Sequence, residues 1–188
     1  FCLSRGLGDV YKRQEYLVRT PDLGGFALGS RIDRMIGAAA GPAMSDQLRA
    51  TLDDVRAGLR FGLHLFGCHR AGTARARLSL IDIDPDYPLS DPGRLLHDLT
   101  ASAAGRLMAA VGSGHRTVVP THASQIGSFI PNFGCVSVPV WGVDTSLVAT
   151  LAIAAPAKHI ENPETLVRLL DGPARRVAEI MAASPAGE

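Results

Sequence analysis

Apolar positions along the chain switch between two periods, and the switches predict its elements. Tyr16, Leu17 and Val18 form a short β-favouring run, "PDLGG" supplies turn residues, and Phe26 and Leu28 alternate as in a second strand, which predicts a small hairpin. Ser30 is placed to cap a helix in which Ile32, Met35 and Ile36 share one side, and Pro42 within "GAAAGPAM" marks a break. Ser45 caps a further helix, whose stripe of Leu48, Leu52, Val55 and Leu59 has helical spacing and carries it to about Arg60. "FGLHLFGCH" and "ARARLSLIDID" read as two strands joined by the turn "RAGT", with Pro85 and Pro88 ending the second. Asp91 and Pro92 start a helix whose apolar positions Leu95, Leu96, Leu99, Ala103, Leu107 and Met108 run to a stop at Gly112 and Gly114.

From His115 to Asn132 the pattern is poor and predicts a loop with a short strand at "TVV". Two strands, "GCVSVPVWG" and "SLVATLAIAA", follow, joined by the turn "VDT". Asn162 and Pro163 announce a last helix with Leu166, Leu169, Leu170, Val177 and Ile180 inward, which "DGP" at 171–173 is expected to kink or interrupt. The order is helix, two strands, helix, two or three strands, helix. It predicts an α+β domain with an antiparallel sheet and helices packed against it.

Composition narrows the class. A chain of 188 residues with 46% hydrophobic content buries one ordinary core. The stretch "DVYKRQ" at 9–14 can be written back as the transposon end of common sequencing-library adapters, and "SRGLG" before it continues the adapter in frame; residues 1–14 are therefore expected to be translated adapter and are set aside. Removing Arg5, Lys12, Arg13 and Asp9 from 19 basic and 18 acidic residues leaves a nearly neutral chain, with no overall field to attract polyanions. Cys2 falls in the same segment. The remaining Cys68 and Cys135 lack a C-x-x-C spacing, which suits reduced thiols in a cytosolic protein, one disulfide remaining the alternative. No apolar run approaches the ~20 residues of a membrane span.

Three stretches, in order, resemble the bacterial IclR-type transcriptional regulators. "EYLVRTPDLGGFALGSRI" resembles the wing hairpin and linker helix that close that family's winged helix-turn-helix. "LTASAAGRLMAA" is similar to its helix with Ala-x-Gly-Lys or Ala-x-Gly-Arg, and "CVSVPVWGVDTSLVATLAIAAPAKHI" resembles the sheet of its effector-binding domain. The resemblance covers most of residues 15–185. It implies a remnant wing hairpin and linker helix over 15–40 and a GAF-like effector-binding domain over 41–185, an antiparallel sheet flanked by helices. It further implies a cytoplasmic, ligand-responsive DNA-binding regulator rather than an enzyme, without a cofactor, working as a homodimer or homotetramer. DNA would be read by a helix-turn-helix upstream of Glu15, with Arg19 beside the wing turn placed either to touch phosphate or to stand in solvent.

The chain departs from the family in two places. The region 112–134 is shorter than usual, where much of the pocket wall arises. Members that bind small oxo-acids carry two serines on the last strand, at positions that match Ala152 and Ala154 here. An apolar pair cannot donate to a carboxylate, so the expected effector is larger or less charged than a small oxo-acid.

The same resemblance places Cys135 as a pocket cysteine, its alternative being a small buried hydrophobe. Thr100 and Ser102 are positioned either to hydrogen-bond a ligand or to bond their own backbone. Arg106 either anchors an anion or lies on a helix surface in a weak ion pair. His64, Cys68 and His69 form the most metal-like cluster, but four residues of strand span roughly 13 Å, which predicts no chelation. His115, His122, Ser124 and Asn132 either line a pocket mouth or are ordinary loop polarity. Trp141 is expected to pack beside its turn or at a subunit contact, Asp144 to be a turn residue, and "DIDPD" at 82–86 to be a solvated strand end. No G-x-S-x-G, H-E-x-x-H, P-loop or dinucleotide fingerprint occurs, so no catalytic residue is assigned. Two alternatives stay open, a small-molecule-processing enzyme using Cys135 or a histidine and a stand-alone GAF-like sensor.

Overall fold

The computed structural model describes residues 44–69, 76–112 and 120–183, together with the backbone of 17–19 and 26–28. The chain divides into two units, residues 1–41 and 42–188. In the first, β1 (Leu17–Arg19) and β2 (Phe26–Leu28) pair antiparallel, Leu17 opposite Leu28 and Arg19 opposite Phe26. The helix expected through Ile32, Met35 and Ile36, the segment 1–14, the "TVV" strand and His115 lie outside the described residues.

The second unit runs α1 (Asp46–Ala57), β3 (Gly62–His69), β4 (Arg77–Asp82), α2 (Pro92–His97), α3 (Ala103–Gly112), β5 (Ala123–Ile126), β6 (Phe133–Trp141), β7 (Leu147–Pro156), α4 (Ala157–Ile160) and α5 (Glu164–Ala183). Its strands form one sheet in the order β4-β3-β7-β6-β5, every neighbour antiparallel. Alternation along the strands sends Leu63, Leu65, Val136, Val138, Leu151 and Ile153 to one face, where they pack with Leu48 and Leu52 of α1 and with Leu166, Leu170 and Val177 of α5. Phe66 and Ala152 point the other way and pack with Leu95 of α2 and with Ala104 and Met108 of α3. The domain is thus α+β, a five-stranded antiparallel sheet between two helical layers. Each fully buried leucine or isoleucine in this core contributes roughly 1.5–3 kcal/mol of burial free energy.

Local chemistry explains the element ends. Ser45 caps α1, its Oγ accepting from the Leu48 N–H at 3.2 Å. Asp91 caps α2 in the same way, accepting from the Arg94 N–H at 2.9 Å, with Pro92 in the first turn. The single helix expected from Pro92 to Gly112 is two helices. Asp98 accepts from both the N–H and the hydroxyl of Thr100, at 3.1 and 2.7 Å, and Ser102 Oγ accepts from the Gly105 N–H at 3.0 Å. These short polar side chains offer the backbone partners that compete with a continuous helix. α3 lies tightly against the turn before it: a Cβ at Gly105 would lie 2.7 Å from the carbonyl carbon of Leu99, a backbone atom that no rotamer change moves away. Gly105→Ala is therefore expected to destabilise the domain by about 2 kcal/mol, measured by denaturant unfolding. A loss under half that would show that the α2–α3 junction yields without strain.

Four expectations need correction. β5 lies in the stretch read as loop, because "ASQI" carries one β-branched residue and its inward position is Gln125. α5 is continuous through Pro173, which is itself buried; the stripe of Leu166, Leu170, Ala174, Val177 and Ile180 holds both halves on the sheet. Leu169, expected inward, is 49% exposed. "DIDPD" is not a solvated strand end, since Asp84 is only 3% exposed. Its carboxylate accepts from the Leu63 N–H at 3.0 Å and lies 3.5 Å from Arg56 Nε, while Asp82 pairs with Arg56 Nη2. The interior acids bind α1 to the β3–β4 corner.

Candidate functional site

A cavity of about 310 Å³ opens between the second face of the sheet and the α2–α3 layer. Sheet register builds its floor. Gln125 is opposite Cys135, Cys135 is opposite Ala154, and Ala154 is opposite Gly62, so one row across β5, β6, β7 and β3 faces the space. Ala154 and Gly62 are small, and the floor sinks where they meet. Around it stand Phe66, Leu89, Leu95, Phe129 and Phe133, which make the walls mainly apolar. Arg94 steadies one wall, its guanidinium 5.3 Å from the centre of the Phe129 ring and its Nη1 donating to the Ser128 carbonyl at 2.9 Å.

The polar lining is sparse, buried at His64, Gln125 and Ser102 and exposed at Asp86, Ser90 and Asp91. His64, one row from Gly62 on the same face of β3, is 2% exposed, and its Nδ1 accepts from the Asp84 N–H at 3.3 Å. Burial lowers its pKa to about 4; Asp84 opposes the shift and Arg56 adds to it. Gln125 is 5% exposed, with its amide oxygen 3.5 Å from the Ser128 N–H. Ser102 reaches the lining while capping α3. Asp86, Tyr87, Ser90 and Asp91 add to it, and among the described residues no lysine or arginine lines the cavity.

The residues singled out from sequence divide accordingly. Cys135, Ser102 and Ala154 line the cavity. Thr100 does not: it is exposed, with its hydroxyl on Asp98. Ala152 does not either, being fully buried in the cluster with Phe66 and Leu95. Arg106 makes no ion pair among the described residues; it donates to the main-chain carbonyls of Thr100 at 2.7 Å and Ser124 at 3.1 Å, tying the α2–α3 junction to β5. His122, Ser124 and Asn132 stand outside the lining. Asn132 instead takes a left-handed turn conformation, φ 57°, and its carbonyl accepts from Ala157. Trp141 edges a separate open groove against α5, beside Val138, Pro139, Ala174 and Ala178. Asp144 accepts from the N–H and hydroxyl of Ser146 in the β6–β7 turn, which holds its carboxyl below the usual range. His69 bonds Ser79 at 2.7 Å on the sheet edge.

Burial pushes the Cys135 thiol up to about 12, and that of Cys68 likewise. At that value both thiols are protonated at neutral pH, which does not favour a thiolate nucleophile. Gln125 and the five phenylalanine or leucine walls were not read from the sequence as site residues, and His64 entered only as a metal candidate. Its placement two residues before Phe66 on a strand was the available signal.

No protein-family model matches the chain, and no curated protein sequence matches it. Solved structures do. The structure of an IclR homolog from Microbacterium hydrocarbonoxydans complexed with 4-hydroxybenzoate is similar at TM-score 0.61 and 16% identity, over 96% of this chain and 85% of that one. Thermotoga maritima IclR is similar at TM-score 0.59 and 15% identity, over 95% and 85%. The C-terminal domain of the Escherichia coli transcriptional regulator KdgR is similar at TM-score 0.53 and 14% identity, over 79% of this chain and 98% of that domain. The α+β architecture of this chain is the fold of the IclR-family transcriptional regulators.

Proposed function

We propose that the chain is the ligand-sensing part of an IclR-type transcriptional regulator, and that its effector binds in the cavity above Cys135 and Ala154. The observation that carries this reading is the cavity itself, enclosed by a sheet and two helices, mainly apolar, with a few buried polar groups. Such a space fits a small molecule better than a macromolecule. DNA would be bound by a helix-turn-helix encoded upstream of Glu15, with Arg19 at the wing touching phosphate, in a cytoplasmic homodimer or homotetramer. Among the described residues no helix is long and apolar enough to cross a membrane. An effector with different affinity for two arrangements of the subunits would shift their populations and so the spacing of the DNA-reading heads.

Two measurements test this. The intact gene upstream of Glu15 is expected to encode a helix-turn-helix; a different domain there would leave a stand-alone sensor. Ala154→Trp is expected to fill the cavity and abolish the effector's influence on operator binding while the oligomer, measured by light scattering, stays intact. Unchanged effector response in that variant would move the site elsewhere.

A further inference from the structure

We propose that His64 sets ligand specificity in this cavity, and that it selects an apolar molecule carrying an uncharged carbonyl acceptor, such as an ester, lactone or ketone, over the corresponding carboxylate. The inference rests on the reading of the cavity as the effector site. Its starting point is the ring geometry of His64. The Asp84 N–H donates to Nδ1, so the neutral ring carries its proton on Nε2. Asp84 is itself fixed by the Leu63 N–H and by Arg56, which pins the tautomer to the β3–β4 corner. Nε2 has no hydrogen-bond partner among the described residues, although the side chain is 2% exposed and lines the cavity. Gly62 keeps that nitrogen clear: a Cβ there would lie 3.1 Å from it and 2.6 Å from the Cβ of Tyr87. That nitrogen is a donor on a mainly apolar cavity wall, and a ligand oxygen can accept from it.

Charge decides which oxygen. A carboxylate entering the cavity would need a cation, and among the described residues the one titratable base on the lining is His64. Charging it would put a proton on Nδ1, against the Asp84 N–H, and lose that hydrogen bond. Of the charged groups around the ring, Asp84 favours the imidazolium and Arg56 opposes it, and burial together with Arg56 outweighs Asp84, so the ring stays neutral at neutral pH. Asp86 and Asp91, also on the lining, repel an incoming anion. An unpaired carboxylate stripped of water costs far more than a carbonyl. The remaining cavity groups suit the same ligand. Ser102 Oγ already accepts from Gly105, which leaves its hydrogen to donate, and the Gln125 amide nitrogen is a further donor.

The test is calorimetric titration of the whole chain at neutral pH with a size-matched pair, methyl 4-hydroxybenzoate and 4-hydroxybenzoate. The ester is expected to bind about tenfold or more tightly than the acid. His64→Phe should weaken ester binding about tenfold, and His64→Gln, which keeps an N–H donor, should recover most of it. The proposal is overturned if the acid binds as tightly as the ester, a comparison that needs only the wild-type chain. It is equally overturned if His64→Phe, folded by circular dichroism, binds the ester as the wild type does. Acid binding with the cavity blocked by Ala154→Trp would leave the effector reading wrong as well, whereas acid binding lost in that variant would sink the specificity claim alone. If neither probe binds the wild-type chain, both claims fall together.

Discussion

Asp84→Ala is expected to lower the unfolding free energy of the second unit by about 3 kcal/mol, the largest loss from any single change at the β3–β4 corner. The carboxylate is 3% exposed and serves two elements at once: it accepts the Leu63 main-chain N–H at 3.0 Å and stands 3.5 Å from Arg56 Nε on α1. Removing it leaves the Leu63 N–H buried without an acceptor. It also weakens the pairing of a guanidinium whose side chain is 13% exposed and whose Nε has no other partner among the described residues. Asp82 and Asp53 still hold the other guanidinium nitrogens, which keeps the loss near the lower end of what breaking a buried pair costs. Urea unfolding followed by circular dichroism reads the effect. Arg56→Met combined with Asp84→Ala should cost less than the sum of the two single changes, because neither charge is then left alone. Strict additivity would mean that Arg56 and Asp84 do not interact energetically.

The corner also shows where sequence reasoning loses its grip. The strands β3, β6 and β7 and the helices α1 and α5 were legible because each carries its own periodicity, and Ser45 and Asp91 announced their helices as caps. Asp84 was not, since the contacts that bury it come from residues 21 and 28 positions away, Leu63 and Arg56, which no local pattern brings together. β5 failed for a related reason: its inward residue is a glutamine facing a cavity, and a polar residue turned toward empty space breaks the alternation by which strands are recognised. The helix break at 98–102 was hidden beneath apolar spacing that continues across it, although Asp98, Thr100 and Ser102 are residues that bond their own backbone.

The candidate site was legible in the same partial way. Cys135 and Ala154, which entered through family resemblance, and Ser102, which entered through its hydroxyl, line one cavity, while Ala152, two residues from Ala154 and on the same face, lies under the close-packed cluster beside Phe66. Alternation tells which face a residue takes and cannot tell where along that face the helices stop covering it. The cavity lies where the α2–α3 layer passes over the small side chains of the floor row, a matter of three-dimensional registry between layers.

Lowering the pH from neutral to about 4 is expected to cost the folded domain roughly 3 kcal/mol through His64 alone. In the unfolded chain this histidine titrates near its ordinary 6.5, and in the folded chain burial brings it to about 4. Above 6.5 the ring is neutral in both states and pH has no leverage through it. Between 6.5 and about 4 only the unfolded chain takes up the proton, so stability falls as the solution becomes more acidic; below about 4 both states carry it and the loss levels off. Other groups of the protein also take up protons as the solution is acidified, so the total loss is not the measure. The difference between wild type and His64→Gln isolates the imidazole: the variant should lose less stability than the wild type between pH 7 and 4.5, by about 2 kcal/mol in the urea midpoint converted to free energy. Parallel losses in the two proteins would mean that His64 is free to protonate in the folded state. The Asp84 N–H would then not hold Nδ1, and the neutral donor on the cavity wall would be lost with it.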